Sequence, residues 1–149
     1  MGCIFVVDPP EVERLIKEVL APLVKEKITV QIIESYYRVT IQVFKQGEKP
    51  WGGGIVHFSM STLPGCCAYV VLHDVLVFKE YRGLGIAQAL HPVKEFIADD
   101  GGFSFMMCTT RKDNPTQNHI LEKTEWKKAH QGLNVRTKND LIMWVKGIV

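Results

Sequence analysis

The sequence has few of the features that would make it anything but an ordinary globular chain. Its longest uninterrupted apolar run is seven residues, Cys66 to Leu72, against the ~20 needed for a helix to span a bilayer. No Lys or Arg precedes the short apolar stretch at residues 3–7, and Asp8 ends that stretch, so no secretory signal is read there. Met1-Gly2 has Val6 where a myristoylation start wants Ser or Thr. The four cysteines, Cys3, Cys66, Cys67 and Cys108, form no C-x-x-C pair, which argues against a structural zinc site, and no metal is expected. Cys66 and Cys67 would alternate faces on a strand and do not make a natural disulfide. Reduced thiols and a cytoplasmic location are therefore expected. Eighteen basic residues against 16 acidic ones leave a formal charge of +2, with no aromatic-basic stripe, so neither nucleic acid nor a membrane surface is an expected partner.

What is present is one domain's worth of chain: 149 residues, 46% apolar and 23% charged, without repeats, low complexity or a linker. A strand is expected at Cys3 to Val7. A helix follows: Asp8 caps, Pro9 suits the first helical position, Glu11 completes an Asp-x-x-Glu box, and Val12, Leu15, Ile16, Val19 and Leu20 recur at helical spacing before Pro22. Ile28 to Phe44 reads as one long strand or two joined near Ser35. Ile55 to Met60 is another strand, and Cys67 to Phe78 is the strongest strand signal in the chain. Leu84 to Ala98 has helical spacing, with Pro92 expected to kink it. Phe103 to Thr110 reads as a strand, Pro115 to Lys123 as a short helix, and Leu141 to Val145 as a final strand. This β-α-β-β-β-α-β-α-β order predicts a single α/β domain, residues 1–149, with a mixed sheet.

The chemistry is concentrated where the strongest strand runs into a helix through Lys79-Glu80-Tyr81-Arg82-Gly83-Leu84-Gly85-Ile86-Ala87-Gln88. Glycines let a ligand approach the backbone, and the first N–H groups of a helix lack internal partners and carry the positive end of the dipole. Together they form a phosphate cradle, with Arg82 beside it. The dinucleotide pattern G-x-G-x-x-G fails because Gln88 holds its last position, and a P-loop fails at Ile86-Ala87. A nucleotide- or nucleic-acid-binding domain using this turn remains a rival, against which the near-neutral charge counts.

The pattern that fits is R-x-x-G-x-A, from Arg82 to Ala87. Here the chain resembles the GCN5-related N-acetyltransferase superfamily, which carries R/Q-x-x-G-x-G/A between a strand and a helix. A second match is Asn114 to Trp126, set against that family's N-x-x-A-x-x-L-Y-E-K-x-G-F, with Asn114, Glu122 and Lys123 matching and Trp126 standing for an aromatic. The resemblance covers roughly residues 70–128. It implies a mostly antiparallel mixed sheet flanked by helices, acetyl-CoA as cofactor, and acyl transfer to an amine by direct attack in a ternary complex. It also implies cofactor contacts at Val77, whose backbone amide would polarise the thioester, at Arg82, Gly83, Leu84, Gly85, Ile86 and Ala87, and at Asn114 beside the pantetheine arm. The acceptor would be a small-molecule amine or an amine of a peptide or protein, and a homodimer is common in such proteins.

The base is expected on the strand. Alternation puts Val71, His73, Val75 and Val77 on one face, the face where the family often places its base, and His73 titrates near neutrality. Asp74 faces the other way and could act only if the strand bulges. For the general acid the family's usual Tyr falls at Leu121, which cannot donate a proton. His119 is expected to face solvent and Tyr81 to be structural. Water, Tyr36 or Tyr37 could supply the proton, the thiolate could leave unassisted, or the chain could bind coenzyme A without catalysing. Trp51, beside three glycines, is expected to be a packed loop aromatic or to line an acceptor groove. Cys108 is expected to be a small core residue, and Arg111-Lys112 and Lys127-Lys128 to be solvated.

Overall fold

The computed structural model describes residues 5–63 and 65–148. Its first element, α1 (Pro9–Leu20), starts as the sequence implies: Asp8 Oδ1 accepts the Glu11 N–H at 3.4 Å. The reciprocal half of the box is replaced, because the Glu11 carboxylate pairs with Arg14 instead. Val12, Ile16 and Leu20 are fully buried, the i, i+4 stripe of an amphipathic helix. Of the strand expected at Cys3 to Val7, Cys3 and Ile4 lie outside the described residues. Phe5 to Val7 form no strand, although the Phe5 N–H donates to the Tyr36 carbonyl at 2.7 Å.

Three antiparallel strands follow: β1 (Ile28–Glu34), β2 (Arg38–Lys45) and β3 (Gly54–Leu63). The stretch from Ile28 thus resolves into two strands, turned at Ser35. The chain continues through β4 (Cys66–Leu72), the two-residue β5 (Leu76–Val77), α2 (Ile86–Ala89), α3 (His91–Asp100), β6 (Phe105–Arg111), α4 (Pro115–Lys123), β7 (Lys127–Leu133) and β8 (Asp140–Gly147). The sheet order is β1-β2-β3-β4-β6-β8-β7, with β5 paired to β3. Among the described residues every pairing is antiparallel except β4–β6. A parallel pair needs a crossover, here supplied by α2 and α3.

Val39, Ile41 and Val43 of β2 are buried at alternate positions, whereas β3, inside the sheet, is buried throughout Gly54 to Met60; with Val56, Phe58 and Met60 they form one continuous core with α1, α3 and Trp144. The helix expected from Leu84 to Ala98 is corrected to two. Pro92 has no N–H to donate into a preceding turn, so it falls in the first turn of α3, and Leu90 joins the two helices. The sequence reading missed β7: Lys127–Leu133 is an edge strand exposed along nearly its whole length and so has no apolar alternation to announce it.

Cys66 and Cys108 hold free thiols, whereas Cys67 is disulfide-bonded. The expectation of reduced thiols throughout is thus corrected at Cys67. Because neighbours on a strand point to opposite faces, Cys67 can be bonded while Cys66 is not. No helix among the described residues is long and apolar enough to cross a membrane.

Candidate active site

The strand expected from Cys67 to Phe78 is interrupted. Leu72 pairs with Met60, and the next pair is Leu76 with His57, so three residues, His73 to Val75, face two on β3. This is a one-residue β-bulge. On its other side β4 pairs with β6 only from Tyr69↔Phe105 to Val71↔Met107, after which the two strands part. Beyond that point β6 remains bonded to β8 as far as Arg111. The result is a V-shaped opening in the middle of the sheet, of about 590 Å³, walled by α2 and α3 on one side and α4 on the other.

The bulge changes which residues border the opening. Alternation would have put His73 and Asp74 on opposite faces, but Leu72, His73, Asp74 and Val75 all line the cleft. The condition under which Asp74 could take part is therefore met. His73 Nε2 and Ser61 Oγ share a hydrogen bond of 2.6 Å. Burial, and then the nearby Arg38 guanidinium, hold the His73 pKa below its usual 6.5, with Asp74 opposing. His73 is thus neutral at pH 7, with Nδ1 free of any partner among the described residues.

Backbone groups are freed at the same place. The N–H groups of Asp74 and Val75 donate to no backbone carbonyl among the described residues. Phe78 N–H donates to the Ile55 carbonyl at 2.9 Å, which makes Val56 and Val77 a non-hydrogen-bonded pair. Both peptide groups of Val77 therefore turn away from β3. Its carbonyl accepts from Arg82 Nε at 3.0 Å, so Arg82 braces the strand end as well as carrying charge.

Gly83 and Gly85 have φ of 80° and 82°, a left-handed conformation costly for other residues. They turn the chain so that α2 opens directly from Gly85. The N–H groups of Gly83, Leu84, Gly85, Ile86, Ala87 and Gln88 have no backbone acceptor among the described residues. Ile86 is buried in the core and anchors the turn. Ala87 and Gln88 line the cleft, whereas Val77 and residues 82–86 do not line it and form the turn that precedes these two. Tyr81 is buried, and its hydroxyl donates to Glu26 at 3.2 Å, a structural contact as expected.

Asn114 both caps α4, accepting the Gln117 N–H at 3.2 Å, and lines the cleft. A relay holds α4 to the sheet: Trp144 Nε1 donates to Thr110 Oγ1 (2.8 Å), which donates to Asn118 Oδ1 (2.5 Å), and Asn118 Nδ2 donates to the Arg111 carbonyl (3.2 Å). Leu121, the position where a tyrosine was wanted, is 1% exposed and also lines the cleft. His119 is exposed, and neither Tyr36 nor Tyr37 lines the cleft. Trp51 packs edge-on against His57, with ring centroids 4.6 Å apart, and near Phe78 at 5.9 Å. Arg111 pairs with Asp113 at 2.8 Å and Lys128 with Glu122 at 3.8 Å.

One lining residue escaped the sequence reading altogether. Lys94 of α3 is 5% exposed, the most buried charged side chain described. The available signal was its place in the helical stripe, one residue after Val93 and three before Ile97, where an apolar residue belongs. Burial pushes its pKa down to about 8, and the neighbouring Cys108 thiol, itself buried, is pushed up to about 12.

No protein-family model matches the chain, and no curated protein matches its sequence. Solved structures share its architecture. A GNAT family acetyltransferase from Elizabethkingia anophelis with acetyl-CoA bound superposes with a TM-score of 0.66 at 11% identity, over 83% of this chain and 99% of that one. The IAA acetyltransferase from Bacillus cereus gives 0.64 at 13% identity, over 81% and 99%. The spermidine/spermine N-acetyltransferase SpeG from Vibrio cholerae gives 0.62 at 10% identity, over 74% of this chain and 65% of that one. The mixed, mostly antiparallel sheet with its flanking helices is thus a fold shared with GNAT-family acetyltransferases.

Proposed function

We propose that the chain is an acyl-CoA-dependent N-acyltransferase that moves an acetyl group from acetyl-CoA to a primary amine by direct attack in a ternary complex. The observation that carries this reading is the bulge at His73–Val75, which parts β5 from β6 and leaves free amides beside a cleft of about 590 Å³. A pantetheine arm is a chain of amides, and it fits a gap in a sheet because it can take the place of the missing strand. The N–H groups of residues 83–88 and Arg82 would receive the pyrophosphate. Val77 and the freed amides before it would face the thioester, and Asn114 would stand on the far wall. A backbone N–H directed at the thioester oxygen would stabilise the charge that develops there.

His73 is the proposed base. It is neutral at pH 7 by virtue of its lowered pKa and lines the cleft, so it can take the proton that the attacking ammonium must lose. Asp74 beside it would favour a cationic acceptor. The acceptor class is a small-molecule amine, as in the neighbour named for spermidine and spermine, with a peptide or protein amine as the alternative. A second reading, a coenzyme A-binding module without catalysis, is favoured by Leu121 in place of a tyrosine.

Thermal shift with acetyl-CoA, free coenzyme A and NAD separates these readings from their failure. A ligand at ~100 times its dissociation constant adds about 2.7 kcal/mol, or roughly 5–10 °C for a domain of this size. Stabilisation by the two coenzyme A species alone supports the site, and no shift overturns it. An amine screen then decides catalysis. His73→Ala should leave binding intact and lower turnover about 100-fold or more, and turnover with no amine would leave the binding module.

A further inference from the structure

Lys94 is an unusual occupant of a cleft meant for a thioester. Helix α3 carries it back over the sheet to the point where β4 and β6 part, beside Cys108 of β6 and above Phe58 of β3, whose ring centroid is 5.5 Å from Nζ. Among the described residues it forms no ion pair and no hydrogen bond. The one adjacent acid on its helix, Glu95, points elsewhere and is paired with Lys146 of β8 at 2.7 Å. The other titratable groups lining the cleft are His73 and Asp74 at the bulge, His91 on α3, Cys108 and Arg111 on β6. An ammonium held out of water without a counter-ion is costly. Such a group persists most readily where an anion arrives during function.

The cleft lacks a second feature. Leu121, opposite on α4, offers no proton to a leaving group. Resting on the function proposed above, we propose that Lys94 takes that role: its ammonium faces the sulfur of coenzyme A and protonates the thiolate as it leaves. In the step, the amine nitrogen bonds to the thioester carbon, the C–S bond breaks, and its electron pair goes to sulfur. A proton moves from Lys94 Nζ to that sulfur, and the amine proton goes to the base. Lys94 is left neutral and recovers a proton from solvent. The acid suits the leaving group, because its pKa of about 8 lies close to the ~8.5 of an ordinary thiol. Cys108, pushed up to about 12, stays a thiol and neither competes for the proton nor neutralises Lys94.

The test needs no acceptor. Coenzyme A bound to the protein is titrated from pH 6 to 10 by thiolate absorbance, with the acetyl-CoA complex as the blank that cancels the protein's own thiols. The bound thiol should titrate at least one unit below free coenzyme A in the native protein and in Lys94→Arg, and as free coenzyme A in Lys94→Met. Calorimetry should show native protein preferring coenzyme A to its desulfo analogue at pH 8 by about tenfold, a comparison that needs no variant to fold. If coenzyme A binds but its thiol titrates as in solution, or is shifted equally in Lys94→Met, Lys94 is not the thiolate's partner and the proposal fails while the cofactor site stands. If neither coenzyme A nor acetyl-CoA binds the native protein, the proposed function fails and takes this proposal with it.

Discussion

The β1–β2–β3 meander and the β4–β6 junction use the same backbone chemistry to opposite ends. In the meander, β1 and β2 pair without interruption from Ile28↔Lys45 to Glu34↔Val39. Every second side chain of β2 enters the core. At the junction, pairing stops after Val71↔Met107 and a bulge brings four consecutive residues, Leu72 to Val75, to the edge of the gap. A satisfied ladder stabilises the fold and leaves nothing for a ligand to bind. An interrupted one gives up hydrogen bonds, exposes polar groups and can accept a guest. The meander with its core, and on the far side the Trp144–Thr110–Asn118 relay that fastens α4 to β6 and β8, keep the fold together around the interruption.

The sharpest way to break that division of labour is to damage the meander. Ile41→Ala removes a fully buried side chain and should cost about 3 kcal/mol, several degrees in melting temperature. At a temperature where the variant is folded, coenzyme A affinity should be unchanged. A fall in affinity equal to the loss in stability would show that the two regions are coupled.

At the junction the largest effect should come from Lys94, and it should depend on pH. Its pKa is lower in the folded state than the unfolded 10.5, so the unfolded chain binds more protons above pH 8 and stability rises with pH there. Between pH 8 and 9 the gain should be about 1 kcal/mol. Across the same interval the raised pKa of Cys108 acts in the opposite direction and offsets part of that gain, since the unfolded thiol is already ionising while the folded one keeps its proton. Denaturation of Lys94→Met across the same interval should show no rise, and an identical rise would place its source elsewhere.

Gly85→Ala meets no atom within 4 Å but must adopt a φ of +82°. It should cost about 1 kcal/mol of stability and weaken coenzyme A binding roughly tenfold, because the turn that aims the amides is strained. An Ala variant with native affinity would remove the turn from the binding site. The smallest effect expected is that of Asn114→Ala, about 1 kcal/mol or less from the lost cap on Gln117. Asn114→Asp should restore the stability but not the affinity if Asn114 also meets the ligand.

Local signals made much of this legible in advance. Helix α1 carries its cap and stripe, α4 its Asn114-Pro115 start, and the glycine turn its R-x-x-G-x-A. Each is written in residues a few positions apart. What the sequence hid depends on partners far along the chain. The bulge at His73–Val75 exists because Leu72 and Leu76 must pair with residues of β3 spaced one residue closer, and no local pattern states that mismatch. It brought His73 and Asp74 to one cleft where simple alternation had separated them. Strand β7 was hidden because an edge strand needs only β8 to hold it. The role available to Lys94 was hidden for the same reason as the bulge. The sequence by itself determined helices α1 and α4, most of the strands and the glycine turn, since these follow from backbone propensities and short-range hydrogen bonds. Only the tertiary structure decided where the sheet opens and what lies inside, since a gap between strands, and a lysine desolvated within it, are products of packing among β3, β6, α3 and α4.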